Sequence, residues 1–590
     1  MISIAPSLIL ILGALLVPFF RGTAKKVYLV LVPVLALWSI LANGKGVHWV
    51  VEILDYQMIF GRVDDLSFPF AIIFALAAIL GVIYSLGVDD DRQQISCLVY
   101  AASGQGVVMA GDFLTLYLFW EIMAFAAAYI IWAGGTRTSI QAGYRYLLVH
   151  IVGGLFLLAG IVLYFSETGS LTFDHIGLNG SMAAVLILIG FGINAAFPLL
   201  HAWLPDAYPE ASFAGTVFLS AFTTKSAVYV LARGFAGVEL LIWVGALMTA
   251  FPIFYAVIEN NLRKVLSYSL INQVGFMIVG VGIGTTLAIN GTVAHAFAHI
   301  LYKALLFMSM GAVLFRTGKI NATDLGGLYK TMPLTALCCI VGAASISGFP
   351  LTSGFVSKSM IISGAGQNGL VLIWFALLFA SAGVFHHSGI KIPFFAFFSH
   401  DSGLRPKEAP VNMLVAMGIT AFLCIFIGVF PQYLYAILPY PVEYIPYTSA
   451  HVVDQLQILF FSALAFTLLM RSGIYPAERR GVNLDVDWFY RKGARKFMWL
   501  VNNPIVNFEF KFVGQAYETL VVKPMMKIAY LMSVLDRAVV EGTINGICRI
   551  IVFASRWLSA MQTGRLHTYT YIMCAGLIVI LLAAMIISPA

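Results

Sequence analysis

Glu121, Lys225, His295, His299, Lys303, Lys358 and Lys391, with His150, His386 and His387, all fall inside long apolar stretches of the chain. A charge at the centre of a membrane helix costs at least about 2.5–3.5 kcal/mol on insertion scales, so such residues face a polar interior and pair or titrate. His295, His299 and Lys303 follow one another at i, i+4 and i+8 and form one stripe on one helix face. Two imidazoles and an amine in a row, linked by water, could pass a proton along roughly 12 Å. A lone histidine such as His386 reads first as a satisfied interior hydrogen bond. Glu121 and Lys225, each alone in a long apolar helix, read as functional. Lys391 lies near the cytoplasmic end of its helix, where a lysine can snorkel to the interface.

The elements that hold these residues follow from composition. The chain has 590 residues, 61% hydrophobic and 10% charged, against about 25% charged in a soluble domain. An all-α polytopic membrane protein is predicted. Apolar runs of spanning length, about 20 residues, occur near 3–20, 27–42, 66–86, 95–111, 113–132, 145–165, 182–204, 213–233, 238–258, 265–283, 288–315, 333–363, 370–398, 411–430, 452–470 and 568–588. That makes sixteen helices, the seventh and twelfth interrupted by Pro198 and Pro350. The six cysteines show no C-x-x-C, zinc or c-type haem spacing, and no phosphate-binding or dinucleotide fingerprint occurs. Neither a cofactor nor a metal is expected, and no nucleic acid.

The first run has no positive n-region and reads as a membrane helix, not a removed signal peptide. Arg21, Lys25 and Lys26 follow it, which places the start of the chain outside by the positive-inside rule. Before the long last loop is counted, odd-numbered loops hold 13 basic residues and even-numbered loops only Lys45, Arg62 and Arg233, which agrees with that orientation. Residues 471–567 differ in kind, with 14 of the 34 basic residues. From Met525 to Met561 apolar and charged residues mix at helical spacing, predicting an amphipathic helix roughly 55 Å long that lies along the membrane or along neighbouring subunits.

The middle of the chain repeats itself. His150 and His299 lie 149 residues apart, and each is followed at the same distance by Thr-Gly, at Thr168 and Thr317. Phe197-Pro198-Leu199 recurs as Phe349-Pro350-Leu351, an offset of 152. A repeat of five helices must be inverted, and inverted repeats with broken helices are a transporter architecture. The expected divisions are 1–94, a first repeat 95–233, a second 234–400, further membrane helices 401–470, the amphipathic segment 471–567 and an anchor 568–590.

The stretches LYLFWEIMAF, PLLHAWLPDAYPEA, LSAFTTKSAVYVLAR, NNLRKVLSYSLINQVGF, AHAFAHILYKALLF and SGFPLTSGFVSK resemble the antiporter-like membrane subunits of the Mrp antiporter and respiratory complex I superfamily, over about residues 60–400. The Mrp D-type subunit is the nearest likeness. DRAVVEGTING and MQTGRLHTYTYIM resemble the ending of the largest complex I pump subunit, where a lateral helix runs along its neighbours. The resemblance implies that Glu121 biases a lysine, that Lys225 carries protons in a half-channel, that His295, His299 and Lys303 form a connecting chain, and that Lys358 ends the second half-channel. One position departs from the pattern: Asn194 stands where the family usually has a lysine, seven residues before His201. Either Lys225, or Arg145 or His150 on the sixth helix, then takes over, or the first half-channel is altered; Lys391 is an accessory candidate.

Three readings compete. The first is the proton-conducting subunit of a multisubunit Na+/H+ antiporter in a prokaryotic cell membrane, with other membrane subunits and lipid as partners and no catalytic chemistry of its own. The second is a pump subunit of a redox-driven complex such as a membrane-bound hydrogenase. The third, a haem b enzyme using paired histidines, is disfavoured because His295 and His299 share one helix. Whether sodium moves besides protons is not written in any ligand spacing.

Overall fold

The computed structural model describes residues 4–53, 56–475, 478–479, 481 and 483–587. It is almost wholly helical: α1 (Pro6–Leu16), α2 (Gly22–Asn43), α3 (Ser67–Ser85), α4 (Asp91–Met109), α5 (Phe113–Trp132), α6 (Arg137–Thr168), α7 (Met182–Asn194), α8 (Trp203–Ala207), α9 (Gly215–Leu219), α10 (Thr223–Gly234), α11 (Glu239–Ile258), α12 (Leu262–Ile283), α13 (Thr286–Thr317), α14 (Pro333–Ser347) and α15 (Ser353–Gln367). There follow α16 (Val371–Phe398), α17 (Val411–Val429), α18 (Ser449–Ser472), α19 (Asp487–Met561) and α20 (Leu566–Ile587). Among the described residues 13 helices are long and apolar enough to cross a membrane, α9 and α10 counting together as one and α19 among them. The predicted run at 95–111 is not one of these, because α4 carries buried Gln93, Gln94, Ser103 and Gln105.

One element was not foreseen. Gly46–Ile53 (β1) and Tyr56–Val63 (β2) pair as an antiparallel hairpin. Its edge is tied down: the Gly111 amide donates to the Ile59 carbonyl and the Asp112 carboxylate accepts from the Ile59 amide.

The ends of the helices recur at the offset seen in the sequence. Both α6 and α13 have 32 residues, begin at a threonine N-cap, and stop at a left-handed glycine, Gly169 (φ 69°) and Gly318 (φ 67°). Left-handed backbone suits glycine, and it lets the chain turn away where the apolar run ends. Asp112 caps α5 and bridges to Thr172; 149 residues later Asn261 caps α12 and bridges to Asn321. Both Phe-Pro-Leu sites break their helices, with Leu199 at φ 71° and Leu351 at φ 70°. Proline lacks the amide that would continue the ladder, so the carbonyls before it are left for other donors.

The loops sort into two sets by their contacts. Lys25 pairs with Asp91, Gln93 donates to Ser212, Arg263 donates to the Ala211 and Ser212 carbonyls, Arg316 donates to the Glu408 carbonyl, and Lys330 pairs with Asp401. All of these join odd-numbered loops. Arg62 pairs with Asp174, Arg233 with Asp64, and the Ile176 amide donates to the Gly234 carbonyl. These join even-numbered loops, which is the pattern of a chain that alternates between two faces.

Two compact units emerge, residues 1–487 and 488–590. In the second, α19 runs unbroken for 75 residues, about 110 Å at 1.5 Å per residue. It begins well before the predicted Met525. None of its residues is buried, and widened turns carry it past Pro504.

Candidate functional site

The described structure gathers the sequence-predicted residues between His295 and Lys358. His295, His299 and Lys303 are fully buried on α13. His295 Nδ1 lies 3.1 Å from Ser357 Oγ on α15, and its Nε2 is 3.4 Å from the Tyr302 hydroxyl, which donates to Gln273 at 3.0 Å. The rings of His295 and His299 are 6.3 Å apart. Neither nitrogen of His299, nor Lys303 Nζ, has a hydrogen-bond partner among the described residues. A buried polar group without a partner is costly and marks a place where strain or function holds it.

Lys358 sits beyond the break between α14 and α15, and its Nζ donates to the Ile346 carbonyl at 2.9 Å, a carbonyl the break has freed. The same ammonium lies 5.4 Å from the Phe276 ring. On its other side is a cavity of about 1170 Å³, lined also by His386, His451, Asp454 and Gln455.

Lys225 repeats this design in the first half. The apolar run 213–233 is itself broken, at 220–222 between α9 and α10, which the sequence did not reveal. Lys225 Nζ donates to the Ser220 carbonyl at 2.6 Å and to Thr224 Oγ1 at 3.3 Å. It is fully buried and within electrostatic reach of His295, His299 and Lys303. Lys358 is likewise within reach of His295 and His299. Lys225, Lys303, His299, His295 and Lys358 therefore form a row of buried ionisable groups, each within electrostatic reach of the next.

The remaining candidates divide. Glu121 on α5 leans against Gly154 of α6, where a side chain would collide with its Oε1, and that oxygen has no hydrogen-bond partner among the described residues. Arg145 is engaged by a bidentate pair with Asp206, at 2.7 and 2.9 Å. His150 stacks on Tyr146 at 3.9 Å, edges Trp203, and bonds the Tyr146 carbonyl through Nδ1. Asn194 is buried at the end of α7, its Oδ1 without a partner among the described residues. His201 Nε2 meets Asp485 Oδ1 at 3.1 Å, and Tyr268 donates to the other oxygen at 2.8 Å.

Snorkelling is overturned for Lys391. It is buried, its Nζ lies 2.9 Å from Glu478 Oε1, and it donates to the carbonyls of Val257 and Glu259 at 2.6 and 2.7 Å. A C-terminal helix end with exposed carbonyls draws a cation inward, and Glu478, from the stretch after α18, supplies a counter-charge that apolar periodicity could not announce. The described residues of 473–487, grouped in the sequence with the amphipathic segment, thus pack within the first unit.

Outside the membrane runs, four carboxyls are shifted among the described residues, and hydrogen bonds from Arg405 and Lys330 hold exposed Asp401 well below its usual value. Burial would raise Asp485, but hydrogen bonds from His201 and Tyr268 bring it below the usual value. Burial raises Glu478 and the Lys391 ammonium only partly offsets it. Burial would also raise Asp64, which the Arg233 guanidinium holds low.

Residues 110–385 match a family model described as NADH:quinone oxidoreductase/Mrp antiporter, TM. The N-type subunit of an NADH-quinone oxidoreductase from Desulforudis audaxviator (strain MP104C) is 32% identical over 356 residues, 56% of this chain and 70% of that protein. The D-type subunit of an Na(+)/H(+) antiporter from Alkalihalophilus pseudofirmus is 29% identical over 346 residues, 54% of this chain and 70% of that one. Among solved structures, a chain of the Mrp complex from Dietzia sp. DQ12-45-1b superposes with a TM-score of 0.66 at 20% identity, covering 78% of this chain and 99% of that chain, a likeness of fold.

Proposed function

The chain belongs to the NADH:quinone oxidoreductase/Mrp antiporter family of membrane proteins, and from that premise we propose that it is the proton-conducting subunit of a multisubunit monovalent cation/proton antiporter. The observation that carries the reading is the buried row from Lys225 to Lys358, which has no structural need for so many ionisable groups. Lys225 and Lys358 are each held by a carbonyl at a helix break, and Lys303 and the imidazoles of His299 and His295 stand between them. Such groups relay protons by gaining and losing N–H bonds in place.

The recurrence at 149 residues is read as an inverted repeat, because Asp112 with Thr172 belongs to even loops and Asn261 with Asn321 to odd loops. The odd loops, rich in Lys and Arg, are assigned to the cytoplasm and the N-terminus to the outside. In the first half, the engagement of Arg145 by Asp206 leaves Lys225 as the better substitute for the lysine that Asn194 replaces. Other membrane proteins of the same complex are its partners.

A second reading, a pump component of a redox-driven complex, is favoured by the 32% identity to part of a quinone oxidoreductase. One experiment addresses both: Lys358→Ala in the intact complex, assayed as ΔpH-coupled cation exchange in everted vesicles with assembly checked. Abolished exchange with normal assembly is expected. Full activity would refute the role of Lys358, and a wild-type complex without any exchange would put the redox-driven reading ahead.

A further inference from the structure

A further buried ionisable side chain lies beside the row at Lys303. His387, one turn before Lys391 on α16, is fully buried and within electrostatic reach of both Lys303 and Lys391. Its Nδ1 meets Ser388 Oγ at 2.9 Å, Ser388 donates to Ser269 on α12 at 2.8 Å, and its Nε2 has no partner among the described residues. The helix is widened here, over Phe385–Ile390, by i→i+5 bonding, a distortion found mostly at functional sites.

Capping α11 explains why Lys391 binds the carbonyls at its end. It does not explain a fully buried position beside a buried carboxylate. The Glu478 side chain, 7% exposed, is 2.9 Å from Lys391 Nζ, and burial raises its carboxyl above the usual carboxylate value. Around the pair stand Glu259, held by Lys264 at 3.4 Å and by Asn483 at 2.9 Å, and Tyr475, stacked on His386. All of these lie at the odd-loop end of their helices, the face opposite Asp64 and Arg233.

We propose that Glu478, Lys391 and His387 form a separate proton inlet that delivers protons from the odd-loop face to Lys303. The Lys391 ammonium gives a proton to His387 Nε2 and is refilled from the Glu478 carboxyl, which takes its proton from water at that face. His387 passes the proton to Lys303. One proton moves at each step, and only N–H and O–H bonds break and form.

The inlet rests on the reading that the buried row carries protons, so the test includes Lys303→Ala. In the intact complex in everted vesicles, His387→Gln and Glu478→Gln should each lower ΔpH-coupled exchange at least tenfold with assembly intact, and Glu478→Asp should restore a measurable part. Both glutamine variants at wild-type rate, with Lys303→Ala inactive, would overturn the inlet and leave the row standing. Wild-type exchange in Lys303→Ala would bring down the row and the inlet together. Should Glu478→Gln fail to assemble, His387→Gln decides alone, because that ring bonds only to Ser388 among the described residues.

Discussion

Gly291→Ala tests whether the spacing between α13 and α15 sets the geometry of the row. A Cβ at Gly291 would lie 2.9 Å from Ile361 Cγ1 and 3.0 Å from the Ile361 amide nitrogen. Ordinary carbon contacts are about 3.5–4.0 Å, so α15 must retreat by roughly 0.5–1 Å. One turn along, His295 Nδ1 and Ser357 Oγ are now 3.1 Å apart. The same retreat opens that contact to about 3.6–4.1 Å, past hydrogen-bond range. Overpacking costs about 1–3 kcal/mol, partly offset by the roughly 1 kcal/mol that alanine contributes over glycine in a helix. Gly364→Ala lies at the same interface, where the nearest atom, Ala288 Cβ, would be 3.4 Å away. It carries the same propensity gain without the displacement. Cation exchange in everted vesicles should therefore fall on the order of 10²-fold in Gly291→Ala, the scale of a 1 Å misplacement, and stay near wild type in Gly364→Ala. Wild-type exchange by an assembled Gly291→Ala complex would refute the reasoning.

Two further outcomes are expected. Asp485 and Glu478 should respond to acid in opposite senses. A carboxyl lowered by folding stabilises above its ordinary value, about 3.9 for aspartate, and that contribution is lost only as pH falls through the still lower folded value. A raised carboxyl binds its proton more tightly folded than unfolded, so the Glu478 contribution grows as pH falls from the raised value toward about 4.3. Amide protection factors should accordingly rise around Glu478 in mild acid and fall around Asp485 only below about pH 4; a parallel fall at both would contradict the assignment. On the other face, Asp64→Ala leaves the Arg233 side chain, 6% exposed, with the Tyr229 hydroxyl as its remaining bonded partner among the described residues. With Asp64 itself 31% exposed, the cost should be roughly 2 kcal/mol, below the about 3–5 kcal/mol of a fully buried pair. Thermal unfolding would register it, and an unchanged midpoint would contradict it.

The helices, the two Phe-Pro-Leu breaks and the buried stripe on α13 were legible because apolar length, proline and i, i+4 spacing are local signals. What escaped is non-local or runs against local propensity. The hairpin at 46–63 is held from outside by Gly111 and Asp112. The break before Lys225 has no proline to announce it. The start of α19 was hidden because Gly514, Pro504 and Pro524 look like stops, yet widened turns carry the helix past 504 and 514 and, over Glu518–Val522, into Pro524. Lys391 resembled a snorkelling lysine because its partner, Glu478, is 87 residues away in sequence.

Lys225, Lys358 and Lys391 share one physical arrangement and differ in one respect that bears on transport. A helix that stops or breaks inside a membrane exposes carbonyls, and with no water at hand a buried ammonium satisfies them. Lys225 takes the Ser220 carbonyl, Lys358 that of Ile346, and Lys391 those ending α11. The fold thus stabilises three buried cations by the same backbone irregularities that let α9, α14 and α11 end where they do. Lys225 and Lys358 have no carboxylate partner among the described ion pairs, whereas Lys391 has Glu478. A counter-charge in low dielectric holds a proton more firmly than a neutral carbonyl does. Lysines bound by carbonyls alone are therefore suited to release a proton when the row beside them changes charge, and the lysine with a carboxylate is suited to store one at the face from which it is loaded.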